Sequence, residues 1–387
     1  MQIGIDGRIF SKPGSGIVKY SFGLMQALLD CYPQNKYYIY VSKYDNWKSK
    51  INFKGKYTIK EISLPKPMWR SKLFTDILDH DRIDVWHSMH LIVPYVPSWM
   101  RRVAVVQTCH GINPNEYWSS LKDELYWRPT LSLGAKFSDR IICMSDDCRQ
   151  VMRKRYGFPL ERMDVGYLGL NKSLKRMNKK ERENAKRYLQ KKYNLPDKNF
   201  ILYVGGTLKN KNLNTAFNTW FILRSKYNFN LPLIITRIDN KDIPYMTALG
   251  NGCTIRPGKD IIGISWIEKE EDLNLFYNCA TFTIYPSLFE GLGYPICESM
   301  KCGTPVITSN ISAMPEAAGG AALLVNNPKN PKEWANAIWN LYNNKRLQKK
   351  LVRLGLKRAK RFTWSKIADS AIESYKKAIS DKKTKRI

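Results

Sequence analysis

The sequence predicts an α/β protein built from two Rossmann-like, doubly wound domains that face a cleft. Short β-rich runs alternate with longer amphipathic stretches along the chain, the pattern of parallel sheets wrapped by helices. The alternation runs twice, once on each side of a very basic segment. At 387 residues, moreover, the chain exceeds what one hydrophobic core usually serves.

In the first series the expected strands are 2–5, 37–41, 84–88, 103–108 and 140–144. Between Met163 and Asn199 the chain turns polar, with Lys172, Lys175, Arg176, Lys179, Lys180, Arg182, Lys186, Arg187, Lys191 and Lys192, which reads as a linker plus an exposed helix. The second series places strands at 200–204, 233–236, 261–265, 281–285, 305–308 and 322–325. From Pro331 the pattern is helical, with Trp334, Ala337, Ile338 and Leu341 at three- and four-residue steps. The expected domains are 1–170 and 200–365, joined by the basic linker and helix 171–199. A C-terminal helix over 366–387 is expected to pack back toward the N-terminal domain.

Hydrophobic content of 43%, with 12% aromatics, excludes wholesale disorder. The balance of 64 Lys+Arg against 33 Asp+Glu, a net charge of +31, implies an anionic partner or surface. Nucleic acid, anionic lipid and phosphorylated substrates all qualify. Asp6 and Arg8 interrupt any apolar run at the start, and no later stretch approaches the ~20 apolar residues of a spanning helix. None of the eight cysteines (31, 109, 143, 148, 253, 279, 297, 302) falls in a zinc-finger spacing, so a reduced, cytoplasmic protein is expected. Peripheral contact with the inner face of a membrane is compatible with the charge.

Ligand sites of open α/β sheets lie in the loops leaving the carboxyl ends of strands. One such loop opens the run Tyr285-Pro-Ser-Leu-Phe-Glu290-Gly-Leu-Gly-Tyr-Pro-Ile-Cys-Glu298-Ser-Met-Lys-Cys-Gly-Thr-Pro-Val306. Pro295 suits the first turn of a helix that Gly303 ends. The amides of Gly291, Leu292, Gly293 and Tyr294 would then meet phosphate or sugar oxygens at a positive helix end. Taken alone, a glutamate in such a loop is more often solvated or a cap.

The whole run resembles the E-x7-E region of the retaining glycosyltransferases of family four, usually P-S-x-x-E-G-F-G-L-P-x-x-E-A-M-x-x-G-x-P-V. The resemblance implies the GT-B arrangement, with an acceptor-side N-terminal domain and a nucleotide-sugar-binding C-terminal domain. It gives Glu290 the transferred sugar and Glu298 the donor ribose. The opening strand followed by Gly14, Ser15 and Gly16 resembles the family's first glycine loop, which approaches donor phosphates and acceptor. Gln107-Thr-Cys-His110-Gly-Ile resembles its V-T-x-H-D segment, whose histidine lies beside the donor sugar; Gly111 replaces the common Asp. Tyr203-Val-Gly205-Gly206-Thr-Leu-Lys209-Asn-Lys211 resembles the loop that offers an Arg-Lys pair to the diphosphate. Lys211 matches the Lys, whereas Asn210 and Gly206 stand where members carry Arg, and Lys209 is the candidate substitute. Trp266 and Ile267 fall where the family packs against the donor base, although Trp266 reads equally as core.

Transfer of this kind stabilises a departing diphosphate and positive charge on the sugar. The first task falls to Lys211, Lys209 and the amides after Glu290. The family precedent is front-face transfer, with the leaving phosphate taking the acceptor's proton and no covalent nucleophile. Asp79-His-Asp81 matches the short D-x-D pattern of metal-dependent transferases, but such triplets recur by chance and family four does not use it. Neither a metal nor a cofactor is expected, the nucleotide-sugar being a substrate. The opening Ile-Gly-Ile-Asp-Gly-Arg resembles mannosyl- and rhamnosyltransferases, so a GDP-sugar such as GDP-mannose is preferred over a UDP-sugar, with a glycan or lipid-linked acceptor. Two other classes remain: a nucleic-acid-binding protein, suggested by charge alone and leaving the glutamate loop unexplained, and a sugar-nucleotide epimerase on the same fold.

Overall fold

A computed structural model describes residues 1–12, 16–90, 92–111, 121–244, 246–247, 254–267 and 269–384. The chain divides into two compact units, Met1–Gly169 with Thr363–Ile387, and Leu170–Phe362.

The first unit is built on a seven-stranded parallel sheet of β1 (Gln2–Asp6), β2 (Lys36–Ser42), β3 (Thr58–Ile62), β4 (Val85–Ser88), β5 (Ala104–Cys109), β6 (Arg140–Cys143) and β7 (Met163–Val165). Their spatial order is β3-β2-β1-β4-β5-β6-β7. Helices α1 (Gly16–Cys31), α2 (Lys72–His80), α3 (Leu121–Phe137) and α4 (Asp146–Tyr156) form the crossovers. All residues of β4 and β5 are buried, as expected of strands covered on both faces. The C-terminal helix Trp364–Thr384 completes this unit, burying Ile367, Ala368, Ala371, Ile372 and Tyr375. At its start the Trp364 indole fills space that a Cβ at Gly23 or Gly169 would take.

In the second unit β8 (Phe200–Val204), β9 (Leu233–Thr236), β12 (Ile261–Ile264), β13 (Ala280–Tyr285), β14 (Val306–Ser309) and β15 (Leu323–Val325) pair in parallel, while β10 (Met246–Thr247) and β11 (Thr254–Ile255) form a separate antiparallel ribbon. The main sheet runs β12-β9-β8-β13-β14-β15. Its helices are α5 (Lys179–Tyr193), α6 (Leu213–Tyr227), α7 (Glu270–Cys279), α8 (Tyr294–Lys301), α9 (Met314–Ala318), α10 (Pro331–Asn343) and α11 (Lys345–Ala359). Two cores flank the sheet, and the two-residue side-chain period sorts β8 between them. Ile201 and Tyr203 join Trp220, Trp334 and Ile338, whereas Phe200 and Leu202 join Leu189, Phe276 and Tyr277.

The α/β class expected from the alternation is thus the observed one, with strand bounds shifted by a residue. The basic segment lies within the second unit, where it is not a free linker. Asn178 and Glu181 cap α5 reciprocally, and Leu174, Leu189 and Leu195 anchor the segment in a core. Its lysines and arginines from Lys179 to Lys192 occupy the remaining faces of α5, and Lys172, Lys175 and Arg176 lie in the stretch before it.

Candidate active site

At the carboxyl edge of the second sheet, β13 ends at Tyr285 and a turn leads to α8. Gly293 holds φ at +100°, where a side chain would be strained, and Pro295 sits in the first helical turn. One oxygen of Glu290, Oε1, receives three donors: Lys211 Nζ at 2.5 Å, Tyr285 Oη at 2.6 Å and Ser287 Oγ at 2.6 Å. Lys211 Nζ also lies 2.9 Å from Tyr285 Oη. Burial and the neighbouring Glu290 charge raise the Tyr285 phenol well above its usual range, so it stays a hydroxyl donor.

Lys211 ends a single helical turn after β8, and its carbonyl accepts from Tyr203 Oη at 2.8 Å. Asn210, standing where the resemblance led one to expect Arg, ties this turn to the glutamate loop. Its Nδ2 donates to Phe289 O at 3.0 Å, and its carbonyl accepts from Leu288 N at 2.7 Å. The ion pair between Lys211 and Glu290 is therefore flanked by one side-chain and one main-chain bond that fasten the two loops together. Lys209 is exposed, and Gly205 and Gly206 begin the same loop, with open space around Gly206.

Glu298 is buried in α8, and its Oε2 accepts from Tyr277 Oη at 2.8 Å. Leu292 is buried too, whereas Gly291 and Tyr294 are half-buried. Trp266 is 60% exposed and so is not core; Ile267 beside it packs against the Phe276 core. The Arg237 guanidinium lies 5.8 Å from the Trp266 ring centroid.

In the first unit His110 follows β5. Its Nε2 lies 2.7 Å from Met89 O, and a carbonyl can only accept, so Nε2 carries the proton and Nδ1 is the acceptor. Burial pushes the imidazole down to about 4, leaving it neutral near pH 7. Tyr20 packs edge-on against it, ring centroids 4.8 Å apart. Gly111 has φ +114°, a conformation the family's usual Asp would adopt only under strain. Gly16 opens α1 and is exposed; Gly14 and Ser15 lie outside the described residues.

The sequence reading did not single out Tyr285 and Ser287 as Glu290 donors, although both stand in the matched run. Nor did it anticipate the Asn210 tie, Tyr277 or Arg237. Asp6 and Arg8, which the opening run brings in without any mutual contact, form a buried pair 2.5 Å apart with the guanidinium over Trp69. Asp79 and Asp81 are engaged internally, Asp79 by the amides of Arg102 and Val103, Asp81 by Tyr40 Oη and Lys60 Nζ.

Residues 198–344 match the family model described as Glycosyl transferases group 1, and residues 42–174 match Glycosyltransferase Family 4. The O-antigen chain mannosyltransferase RfbU of Salmonella typhimurium is 29% identical over 234 residues, 60% of each chain. The O-antigen chain mannosyltransferase B of Escherichia coli is 27% identical over 291 residues, 73% of this chain and 72% of the relative. The match thus spans less than two thirds of the Salmonella relative. Sucrose-phosphate synthase from Thermosynechococcus elongatus superposes with a TM-score of 0.69 at 17% identity, covering 98% of this chain and 99% of that one. Anabaena HepE, in complex with UDP and glucose, does so at 0.67 and 15%, covering 97% and 99%. At such identities the structural likeness speaks for the fold, here GT-B. The two matches lie side by side along the chain, which thus carries a glycosyltransferase family-four domain followed by a group-1 glycosyltransferase domain.

Proposed function

We propose that the protein is a retaining, metal-independent glycosyltransferase that moves a hexosyl unit, mannosyl first, from a nucleoside-diphosphate sugar to a glycan or lipid-linked acceptor. The observation that carries this reading is the Lys211–Glu290–Tyr285 cluster at the carboxyl edge of the C-terminal sheet. Such a cluster offers a cation for a leaving diphosphate beside a carboxylate for a sugar hydroxyl.

Among the described residues the hydrogen bonds to the Glu290 carboxylate fall on Oε1, which leaves Oε2 to accept from the sugar. Three donors on Oε1 also draw charge from the carboxylate, which favours a binding role over nucleophilic attack on the anomeric carbon. As the bond to the diphosphate breaks, Lys211, aided by Lys209 and the amino end of α8, would take up the charge. The departing phosphate oxygen then accepts the acceptor's proton while the acceptor oxygen bonds to the same face of the sugar, so the anomeric configuration is kept. His110, neutral and with Nδ1 free of the Met89 bond, suits a hydrogen-bond acceptor for a sugar hydroxyl and not a proton donor. The relatives' names make a mannose-containing O-antigen glycan the first acceptor to try.

The test is product analysis with a mannosyl nucleotide donor, with and without acceptor, in EDTA. The expected result is an acceptor-dependent product of unchanged anomeric configuration. Isomerised or hydrolysed donor without acceptor would favour an epimerase, an inverted product would remove the retaining mechanism, and loss in EDTA reversed by manganese would remove metal independence.

A further inference from the structure

Of two exposed side chains at the same sheet edge, Trp266 stands where the family resemblance expects the donor base, and Arg237 has no role in the chemistry above. Arg237 follows β9 and Trp266 follows β12, the neighbouring strand, with Ile264 in register with Thr236. Arg237 has φ +63°, a left-handed conformation uncommon for a residue with a side chain. It is held there because its amide donates to Ile264 O at 2.6 Å. The next turn is pinned as well: Gly263 N donates to Asn240 Oδ1 at 2.8 Å, and a Cβ on Gly263 would run into the carbonyl of Ile238. The two loops are thus fastened together beneath an exposed indole and an exposed guanidinium. Among the described residues no carboxylate pairs with Arg237.

The strand order sets what this pair can reach. Trp266 follows β12, Arg237 follows β9, the Gly205–Lys211 loop follows β8, and Glu290 follows β13, in that spatial order. Adjacent strands lie about 4.8 Å apart, so the row from Trp266 to Glu290 covers about 14 Å. An extended nucleoside-diphosphate sugar laid along the row, with its sugar at Glu290 and its diphosphate over Lys211, brings its base to Trp266 and Arg237.

We propose that Arg237, beside the Trp266 indole on which the family resemblance expects the donor base to pack, selects guanine. This rests on the donor-site reading above. An indole face stacks any base, so the choice lies with the guanidinium, which has only donors to offer. A base stacked on Trp266 must turn acceptors toward it. Guanine presents two adjacent ones, O6 and N7, that a planar fork meets together; adenine places an amino donor beside N7, and uracil flanks a lone carbonyl with N–H and C–H.

Calorimetry with GDP, UDP and ADP, on the whole protein and three variants, tests this. Arg237→Asn keeps a residue tolerant of the left-handed conformation and removes the fork; Arg237→Lys keeps the charge without it. GDP should bind about tenfold or more tighter than UDP and ADP, and Arg237→Asn should remove that preference by weakening GDP alone. Arg237→Lys should not restore it. Trp266→Ala should weaken all three alike. A preference for UDP or ADP, a GDP preference intact in Arg237→Asn, or full rescue by Lys would overturn the base assignment and leave the donor site standing. Failure of the unmodified protein to bind any of the three would overturn both.

Discussion

Glu290 and Lys211 neutralise one another in the structure, and this gives their substitutions different outcomes. Lys211→Ala removes a cation from the diphosphate and should weaken a bare nucleoside diphosphate by about 1.5–3 kcal/mol. Glu290→Ala frees the ammonium from its 2.5 Å partner, so diphosphate affinity should hold or rise while kcat/KM for transfer falls steeply. Calorimetry beside initial rates reads both, and equal loss of diphosphate affinity in the two variants would show the roles to be misassigned. These two residues could be singled out from sequence because each stands in a run whose neighbours fix its place in a loop. Asn210 could not, because its side-chain partner, Phe289, comes from a loop entered from another strand. Arg237 likewise shows nothing in its local sequence beyond following a strand, since its position depends on Ile264 and the Trp266 ring. Trp266 was undecided for a related reason: periodicity near a strand end does not say which side of the sheet edge an aromatic leaves.

The carboxyl ends of β4 and β5 collect three titratable rings. Burial pushes His87 down to about 3, and His90 and His110 to about 4. In the unfolded chain each would titrate near 6.5, so between roughly pH 6.5 and 4 the unfolded state binds more protons and stability falls as the pH falls. Asp6 and Asp139 have lowered values, and their contribution is lost only below the unfolded carboxylate range near 3.9. The melting temperature should therefore drop between pH 7 and 5, a window the carboxylates do not share; a flat profile there would contradict the buried, neutral histidines. Central strands such as β5 were plain in sequence because a continuous apolar run, Val103 to Val106, opens a strand buried on both faces. By contrast β3, Thr-Ile-Lys-Glu-Ile at a sheet edge, and β7, three residues long, carry too little apolar pattern to stand out. The β10–β11 ribbon has two residues per strand and no signal of its own.

For the molecule as a whole, the net charge of +31 meets an apolar surface in the first unit. Leu121, Leu125 and Leu133 of α3 are exposed among Lys122, Arg128 and Lys136, and Trp99 is exposed elsewhere on that unit. Among the described residues no helix is long and apolar enough to cross a membrane. Reversible attachment to anionic vesicles is the expected outcome, each basic residue near the surface contributing about 1 kcal/mol. Flotation should show binding at low salt, release at high salt, and weakening in Leu121→Asp/Leu125→Asp; equal binding to neutral vesicles would remove the electrostatic account, and tighter binding to RNA would redirect the charge to another partner. The first unit is discontinuous in sequence, its helix Trp364–Thr384 coming after the whole of the second unit. During synthesis its sheet is translated before the second unit, yet the surface that receives Trp364, Ile367 and Tyr375 stays uncovered until helix Trp364–Thr384 leaves the ribosome. The second unit, translated later, is contiguous and has every residue it needs sooner. The unit whose sheet is translated before the other is thus the one completed after it, and in the interval its uncovered apolar face is open to chaperones and to neighbouring nascent chains.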